Sequence, residues 1–472
     1  MKITTVLATL MLLWYCQSLV GQNNLGAAKV QNKGRFPAAG VITQSSGLAL
    51  DPDGIHFWTH NDQGNATTKV YKFLPANGNT AVSIVDSVQV VGHENLDWED
   101  MTKDQNGNLY LCQTGKNCNT LSPPECPGRY LYKILKMPFA SLNAQASIVP
   151  DSFIFKYPLP PACNQNGSDT TFVNAEAAIF FNNSIYSFTK NICTKITNNC
   201  GNWVETSTYL FKIPLTAGSS AANPIVGEYL GSYNLKVNEA DSTSNYYKVI
   251  AGAINPSQKV VSLVTPARVW QFRNFTGDNF FNGDVSYHSF LDDGGNAVIR
   301  GYEGADFYNN DLLYLSIDGT NGRISAVNID SLCTNIRSLV DHVPGSLRTA
   351  LSCASQSDTL SFNSATANQN LIIDAPINIT KNISIVNTQS NVTIQSMTNL
   401  PAMFAINPMK QVYLEGFNME AANYPDNFSI QNNGNLTLKN ITVKNFPGQT
   451  KNVINKSGAT LTVIGDVDIK TN

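Results

Sequence analysis

Apolar and polar residues alternate with a period of two along the first two thirds of the chain, in short runs separated by turn residues. These runs recur as five copies of one unit. Each copy starts with a small or acidic residue and an apolar pair, passes through a turn, and enters a strand with aromatic or β-branched residues. The copies begin at Ser46, Glu99, Glu176, Ala251 and Glu303. Alternation of this kind predicts half-buried β-strands.

A second strand with an apolar, polar, apolar rhythm follows the first in each unit. Its copies are Val70-Tyr71-Lys72-Phe73, Leu131-Tyr132-Lys133-Ile134, Leu210-Phe211-Lys212-Ile213, Val269-Trp270-Gln271-Phe272 and the weaker Ile324-Ser325-Ala326-Val327. An outer strand closes each unit, which gives the four strands of a propeller blade. Because one small sheet cannot bury its own faces, the repeat predicts a β-propeller. We expect five or six blades: either a sixth blade is degenerate, or residues 28–36 complete the last blade as a closing strand.

The pattern changes near residue 335, where short Asn-rich strands begin. Val412-Tyr413-Leu414, Leu436-Thr437-Leu438 and Leu461-Thr462-Val463 recur at about 24 residues, the period of a parallel β-helix. The many Asn-x-Ser/Thr triplets follow from this composition, with N-glycosylation as the alternative. The chain is therefore predicted to be all-β, with a signal peptide at residues 1–21, a propeller at 22–335 and a short parallel β-helix at 336–472.

The N-terminus indicates export. Lys2 precedes an apolar run from Val6 to Leu13, and a polar stretch ends near Gly21, an arrangement typical of a secretory signal peptide. The run is too short for a membrane anchor, and no second apolar stretch of spanning length follows it. Cys16 raises the alternative of a lipoprotein, but the residues before it lack the small side chains of a lipobox. We expect a secreted, periplasmic or cell-surface protein.

Removing the signal peptide takes one of nine cysteines and leaves eight, an even number that favours disulfides in an exported chain. Sequence alone cannot fix the connectivity. Zinc is the competing interpretation, but there is no CxxC motif and the histidines are scattered. Plausible pairs are Cys118–Cys126, Cys193–Cys200 and Cys333–Cys353, which leave Cys112–Cys163.

The charge pattern excludes one class of partner and leaves others open. A net charge of −3 without a Lys/Arg cluster argues against nucleic-acid binding. No GxSxG, HExxH or Gly-rich phosphate loop occurs, which weakens an enzymatic interpretation without excluding it. We expect a monomer whose partner is a glycan, a peptide or a small molecule.

Several motifs resemble those of an uncharacterised group of exported bacterial propellers. The resemblance rests on three segments: Ser46-Gly47-Leu48, Trp58-Thr59-His60-Asn61-Asp62 and Asp97-Trp98-Glu99-Asp100-Met101. In the third unit, Glu176-Ala177 and Thr189-Lys190 match the group's "EA" and "TK" strings. The resemblance covers most of residues 40–330 and implies the fold more firmly than an activity. The start of the C-terminal region looks like the right-handed β-helix domains of bacterial surface proteins.

Superposing the five units defines two columns of residues. The first column holds Ser46, Glu99, Glu176, Ala251 and Glu303. If it lies at the mouth of the central channel, its glutamates converge, as a hard cation such as Ca²⁺ requires, and raise one another's pKa. The second column, at the end of the first strand, holds His60-Asn61-Asp62, Gln113, Thr189-Lys190, Thr265 with Arg268, and Ser316.

Each of these residues also has a structural interpretation. The acids of the first column would then cap turns or accept backbone N–H groups, and His60 and Asp62 would stabilise a turn. Trp58 and Trp98 are better explained as packing residues, and Asp97 and Asp100, which flank Trp98, as a structural clasp.

Two functional hypotheses follow, and whether the protein is an enzyme stays open. The first is a non-catalytic secreted or surface module that binds a glycan, peptide or small polar ligand through Asn61, Asp62 and Asp100. The second is a calcium-dependent hydrolase, similar in outline to lactonase or phytase-like esterase propellers. In this hypothesis Glu99, Glu176 and Glu303 bind the ion. His60 is the general base, and Lys190 or Arg268 stabilises the oxyanion. Polysaccharide degradation by the β-helix is a weaker third hypothesis, because that region is short.

Overall fold

Almost all regular structure in the chain is β-strand, as the alternation predicts. The structure, a computed structural model, describes residues 23–38, 40–62, 68–115, 131–158, 171–194, 206–237, 243, 246–292, 294–319, 322–329, 334–341, 346–354, 356–396, 400–420, 428–443 and 452–468. Within these ranges the helices are Phe139–Leu142, Leu347–Cys353 and the 3₁₀ turns Phe280–Asn282 and Ser364–Thr366. None of them has the length and apolar character that a membrane crossing requires.

The described residues form two compact units: Ala27–Asn328, which holds most of β1, and the residues from Ile329 onward together with Asn23–Gly26. The strands of the first unit are β1 (Asn23–Arg35), β2 (Ser45–Leu50), β3 (Phe57–Asn61), β4 (Lys69–Leu74), β5 (Gly78–Ala81), β6 (Ser83–Val90), β7 (Asp100–Lys103), β8 (Asn108–Gln113), β9 (Tyr132–Pro138), β10 (Ser147–Ile148), β11 (Asp151–Lys156), β12 (Thr171–Phe181), β13 (Ser184–Thr194), β14 (Ser207–Pro214), β15 (Ile225–Val226), β16 (Glu228–Asn234), β17 (Ala251–Ile254), β18 (Val260–Thr265), β19 (Arg268–Arg273), β20 (Asp284–Leu291), β21 (Tyr302–Phe307), β22 (Leu312–Ile317) and β23 (Arg323–Asn328).

These strands build five antiparallel blades of four strands each. From the axis outward, the blades are β2-β3-β4-β6, β7-β8-β9-β11, β12-β13-β14-β16, β17-β18-β19-β20 and β21-β22-β23-β1. The short strands β5, β10 and β15 extend outer edges in parallel. The innermost strands touch in the closed cycle β2, β7, β12, β17, β21 and back to β2. The unit is a β-propeller of five blades.

The N-terminal strand closes the ring. β1 pairs with β23 in antiparallel register, with Val30 opposite Val327 and Asn32 opposite Ser325. The fourth strand of blade five therefore comes from the start of the chain. This confirms the closing-strand alternative, and within the described residues there is no sixth blade.

Apolar clusters fill the spaces between neighbouring blades. Trp58 and Trp98 are fully buried in the cluster between blades one and two. Phe57 of blade one stacks on Tyr314 of blade five with ring centroids 4.7 Å apart. Similar clusters join the other blades. The packing role predicted for both tryptophans is thus observed.

Close approach of the backbones at the axis explains the small residues that follow the first column. A Cβ added at Gly304 would lie 2.7 Å from the carbonyl carbon of Gly47. A Cβ added at Gly47, whose φ is +69°, would lie 2.7 Å from the backbone nitrogen of Met101. Contacts this short leave no space for larger side chains.

Blade two is the exception at this position, because it carries Asp100. Its carboxylate is fully buried and accepts hydrogen bonds from the backbone N–H groups of Met101 and Ala178, each at 2.8 Å. The N–H of Gly252 also donates to it. Asp100 therefore links blades two, three and four, which is the structural clasp considered above rather than a ligand-binding role.

The second unit is a parallel β-solenoid. Its strands are β24 (Asn335–Ile336), β25 (Thr359–Phe362), β26 (Asn370–Ile373), β27 (Ile377–Ile379), β28 (Ile383–Val386), β29 (Thr393–Ser396), β30 (Ala402–Ile406), β31 (Gln411–Glu415), β32 (Asn418–Glu420), β33 (Phe428–Asn432), β34 (Asn435–Lys439), β35 (Thr442–Val443), β36 (Val453–Asn455) and β37 (Thr460–Ile464).

Three parallel sheets form the walls of about four solenoid turns: β24-β25-β28-β31-β34-β37, β26-β29-β32-β35 and β27-β30-β33-β36. Leu360, Ile385, Leu414 and Leu438 stack in register along the inside. The Asn432 amide donates to the Asn455 amide oxygen of the next turn at 2.9 Å. The predicted parallel β-helix is thus confirmed.

One predicted disulfide is wrong. Cys112 carries a free thiol that is fully buried among apolar and aromatic side chains of blades two and three, and burial raises its thiol pKa. It does not pair with Cys163, which itself lies outside the described residues. Each of the other three predicted pairs includes a cysteine outside the described ranges, so these pairs stay predictions.

Replacing Asp100 with Ala should destabilise the propeller. The change leaves the buried N–H groups of Ala178 and Gly252 without their acceptor. We expect it to lower the free energy of unfolding by about 2–5 kcal/mol. Urea unfolding followed by tryptophan fluorescence measures the loss. The matched control is Asp151→Ala, which removes an exposed carboxylate from an outer strand. Equal stability of the two variants would contradict the clasp.

Candidate functional site

The first column lies around the axis at one end of the innermost strands. Ser46 of blade one shows the neighbourhood directly, since its hydroxyl donates to the backbone oxygen of Glu99 at 2.5 Å and lies 3.5 Å from that of Glu303. Residues from three different blades therefore meet here. The backbones of the first column therefore come close together on the axis, whereas the positions of the glutamate side chains differ from blade to blade.

Three carboxylates form the centre of the site. One oxygen each from Asp62, Asp97 and Glu99 lies within 4.8 Å of the other two. Asp62 directly follows β3, and Asp97 and Glu99 lead into β7 on either side of buried Trp98. We call these three residues the acidic triad.

Glu99 is the most constrained member of the acidic triad. Its side chain lies against the backbone of Gly115, where an added Cβ would come within 1.6 Å of Oε1. Glu99 is only 4% exposed, and Oε1 has no hydrogen-bond partner among the described residues. A buried carboxylate oxygen without a partner is costly, and a cation bound beside it would remove this cost.

Further charged groups surround the acidic triad. Glu176 on β12 accepts a hydrogen bond from the Lys190 ammonium of β13 at 2.5 Å. Glu303 and Asp318 of blade five act electrostatically on Asp62. Together with the acidic triad, these residues make six described carboxyl groups around a single lysine, Lys190.

Burial and mutual repulsion raise the pKa values of these acids. Burial raises the pKa of Glu99 well above its usual value, and the charges of Glu176, Asp97 and Asp62 add to the rise. The same causes bring the pKa of Asp62 to about 7, and burial with the Glu176 charge brings that of Glu303 to about 8. Lys190 opposes these shifts but does not cancel them. Without a cation, the cluster therefore holds protons near neutral pH.

The predicted metal ligands are gathered only in part. Glu99 belongs to the acidic triad, whereas Glu176 is engaged by Lys190 and Glu303 lies in the surrounding shell of charge. Asp62, predicted as a ligand-binding residue, joins Glu99 instead. Asp97, predicted as part of the clasp, also belongs to the acidic triad.

His60 does not have the surroundings of a general base. Its ring is fully buried, with an edge contact to Trp98 at a centroid distance of 5.8 Å. Nδ1 lies 3.1 Å from the Asn61 carbonyl, and burial lowers the pKa of the imidazole to about 4. His60 is better explained as a packing residue.

Asn61 and Arg268 also have structural surroundings. The Asn61 amide oxygen accepts from the backbone N–H groups of Thr43 and Gln44 at 2.9 and 3.1 Å, which fixes the preceding loop. The Arg268 guanidinium stacks between the rings of Tyr246 and Tyr287 at 4.8 and 4.9 Å. Of the three residues assigned to catalysis, Lys190 is the one that the structure places among the axial carboxylates.

The donor set fits a hard divalent cation. Ca²⁺ takes oxygen ligands, several of them carboxylates, in a flexible geometry. The acidic triad offers such oxygens around one point, and no soft sulfur or imidazole donor is part of it.

Comparison with known proteins adds no activity. No family model matches the sequence, and no curated protein matches it. Among solved structures, the Myceliophteria thermophila Cps50 (Swd1) β-propeller domain is 11% identical over 64% of this chain and 99% of its own, with a TM-score of 0.31. A luciferin-regenerating enzyme is 11% identical over 64% and 95%, with a TM-score of 0.30. A Bacteroides thetaiotaomicron protein of unknown function is 8% identical over 64% and 76%, with a TM-score of 0.32. Similarities this low carry no functional argument, and the propeller fold follows from the strand topology.

The raised pKa values predict that the cation-free protein loses stability as pH rises. In the folded state these carboxyls stay protonated up to about pH 7–8, but in the unfolded state they ionise near pH 4. The folded state thus binds more protons in this window, and each group contributes a fall of up to about 1.4 kcal/mol per pH unit.

Urea unfolding in chelator, between pH 5 and pH 8, tests this expectation. Glu99→Gln should be more stable than the wild type at pH 8 and close to it at pH 5, because glutamine does not ionise in the unfolded state and so removes one of the groups that cause this loss. A wild-type stability that rises with pH relative to Glu99→Gln would contradict it.

Proposed function

We propose that the propeller is a calcium-binding module, in which the acidic triad holds Ca²⁺ and the bound ion presents open coordination positions to a polar ligand such as a glycan. The observation that carries the proposal is that Glu99 belongs to the acidic triad and that its buried Oε1 has no hydrogen-bond partner in the described residues. A cation would satisfy this oxygen and offset the repulsion among the carboxylates.

The surrounding residues support a site that is completed by other ligands. Three carboxylates supply fewer than the six to eight oxygens that Ca²⁺ prefers, so water or an incoming ligand would fill the remainder. Hydroxyl pairs of a sugar are suitable neutral donors. The apolar N-terminal run supports export to compartments where calcium is abundant, and the affinity expected there is roughly 10⁻⁴–10⁻³ M.

A non-catalytic role is favoured over hydrolysis by the positions of the expected catalytic groups. His60 is fully buried against Trp98, Arg268 lies between two tyrosines, and Lys190 is paired with Glu176. No free base or oxyanion donor from the predicted set therefore faces the ion.

Calcium-dependent hydrolysis is the second candidate, and one observation favours it. Glu303 has a pKa of about 8 and lies near the triad, so it titrates in the range useful for acid–base catalysis. Lys190 would then stabilise negative charge once a cation displaced it from Glu176.

Isothermal titration calorimetry with CaCl₂ tests the binding proposal. The wild type should bind one Ca²⁺ per chain, and Glu99→Gln and Asp62→Asn should each weaken binding at least tenfold, because each removes a charged ligand. The matched control, Glu228→Gln, removes an exposed carboxylate of blade three and should bind as the wild type does. Wild-type binding that Glu99→Gln leaves unchanged would place the ion elsewhere.

Turnover of lactone and aryl-ester panels with and without Ca²⁺ separates the two candidates. The binding module predicts no calcium-dependent hydrolysis. Calcium-dependent turnover that is lost in Glu303→Gln, with Ca²⁺ affinity retained, would establish the hydrolase instead.

A further inference from the structure

A second charged cavity lies in the propeller unit at the junction of blades four and five. It has a volume of about 210 Å³ and is walled by the outer strands β23 and β1 and by the segment between β20 and β21. Its polar lining is Asn32, Asp292, Arg300, Arg323 and Ser325. We call it the arginine cavity. It involves no residue of the acidic triad.

The two guanidinium groups of this cavity form no direct ion pair with an acid among the described residues. Within the described part of the chain, the side chains of Arg300 and Arg323 form no ion pair and no hydrogen bond, although both are half-buried. Asp292 accepts hydrogen bonds from Asn296, with N–O distances of 2.8 and 3.3 Å, and these bonds, with a smaller contribution from the Arg300 charge, lower the pKa of its carboxyl. The cavity therefore holds two positive charges and one carboxylate, and two half-buried arginines without a salt bridge favour an external anion.

Buried hydroxyl groups provide a second, independent indication of a ligand. Ser325 lines the cavity and is fully buried, and its Oγ has no hydrogen-bond partner in the described residues. Tyr302 is also fully buried with an unpartnered hydroxyl. Burial raises the Tyr302 pKa to about 12 and the charges of Arg300 and Arg323 oppose the rise, so both arginines act on this hydroxyl. Buried hydroxyls are normally hydrogen-bonded.

We propose that the arginine cavity binds a small oxyanion, either free or as the acidic end of a larger ligand, through Arg300, Arg323 and the Ser325 hydroxyl. The shared chemistry is a compact group with two or more oxygens: carboxylate, sulfate or phosphate. A planar guanidinium fork matches such oxygens, and a buried hydroxyl supplies a further donor. The cavity volume suits one such group with a few waters.

The position of the cavity links the anion to closure of the propeller. Asn32 of β1 and Ser325 of β23 are paired opposite each other, so one wall is the seam between the two ends of the ring. An anion held by this wall and by Arg300 would stabilise the seam. Binding should therefore raise the thermal midpoint in a concentration-dependent way.

Equilibrium dialysis of the full chain with radiolabelled sulfate, and separately with phosphate, tests the proposal. The wild type should show saturable binding, and Arg300→Gln and Arg323→Gln should each weaken it about tenfold or more, because each removes charge-assisted hydrogen bonds. Ser325→Ala should weaken it less. The matched control Arg337→Gln removes an exposed arginine of the second unit and should bind as the wild type does. Displacement of sulfate by acetate would extend the ligand class to carboxylates.

Several results would overturn the proposal. One is that neither anion shows saturable binding at millimolar concentration. Another is that Arg337→Gln weakens sulfate binding as much as Arg300→Gln does. If Arg300→Gln is poorly folded by circular dichroism, Arg300→Lys serves instead, since it keeps the charge and removes the fork; unchanged affinity in that folded variant would count against the site. Glu99→Gln should retain sulfate binding, so failure of the cation proposal and failure of this one are distinguishable.

Discussion

Five strands meet at one axis with so little space that their backbones nearly touch, and this crowding organises both the fold and the site. Beside the axis only glycine or alanine fits in four of the blades, while Asp100 uses the remaining position to bind backbone N–H groups of its neighbours. The glutamates Glu99, Glu176 and Glu303 directly precede these crowded positions in their blades, so the same crowding brings their backbones together. Their burial and repulsion are relieved by Lys190, by protons, or by a cation.

The repeat could be predicted from the sequence because each blade uses the same local pattern. Period-two alternation located the strands, and alignment of the units placed Glu99, Glu176 and Glu303 in one column, as the structure has them. The number of blades could not be fixed from the sequence. It depends on β1 meeting β23, with Val30 opposite Val327, and a contact between opposite ends of the unit leaves no local signal in the sequence.

The site could be predicted only in part, because the spacing of residues in the sequence does not tell which side chains are buried. His60 and Asp62 belong to one motif, yet His60 lies inside β3 against Trp98 while Asp62 lies beyond the strand end among the carboxylates. Asp97 has no counterpart in the other units, so a column alignment could not select it. The arginine cavity joins residues from separate elements that share no motif, and it emerges only from the fold.

The most direct test of a cation at the axis is anomalous diffraction from crystals grown with Ca²⁺ and then exchanged into Mn²⁺. The account predicts one anomalous peak in the propeller, within bonding distance of carboxylate oxygens of Asp62, Asp97 and Glu99. An axis without a peak, or with Lys190 inserted among these three carboxylates, would contradict it.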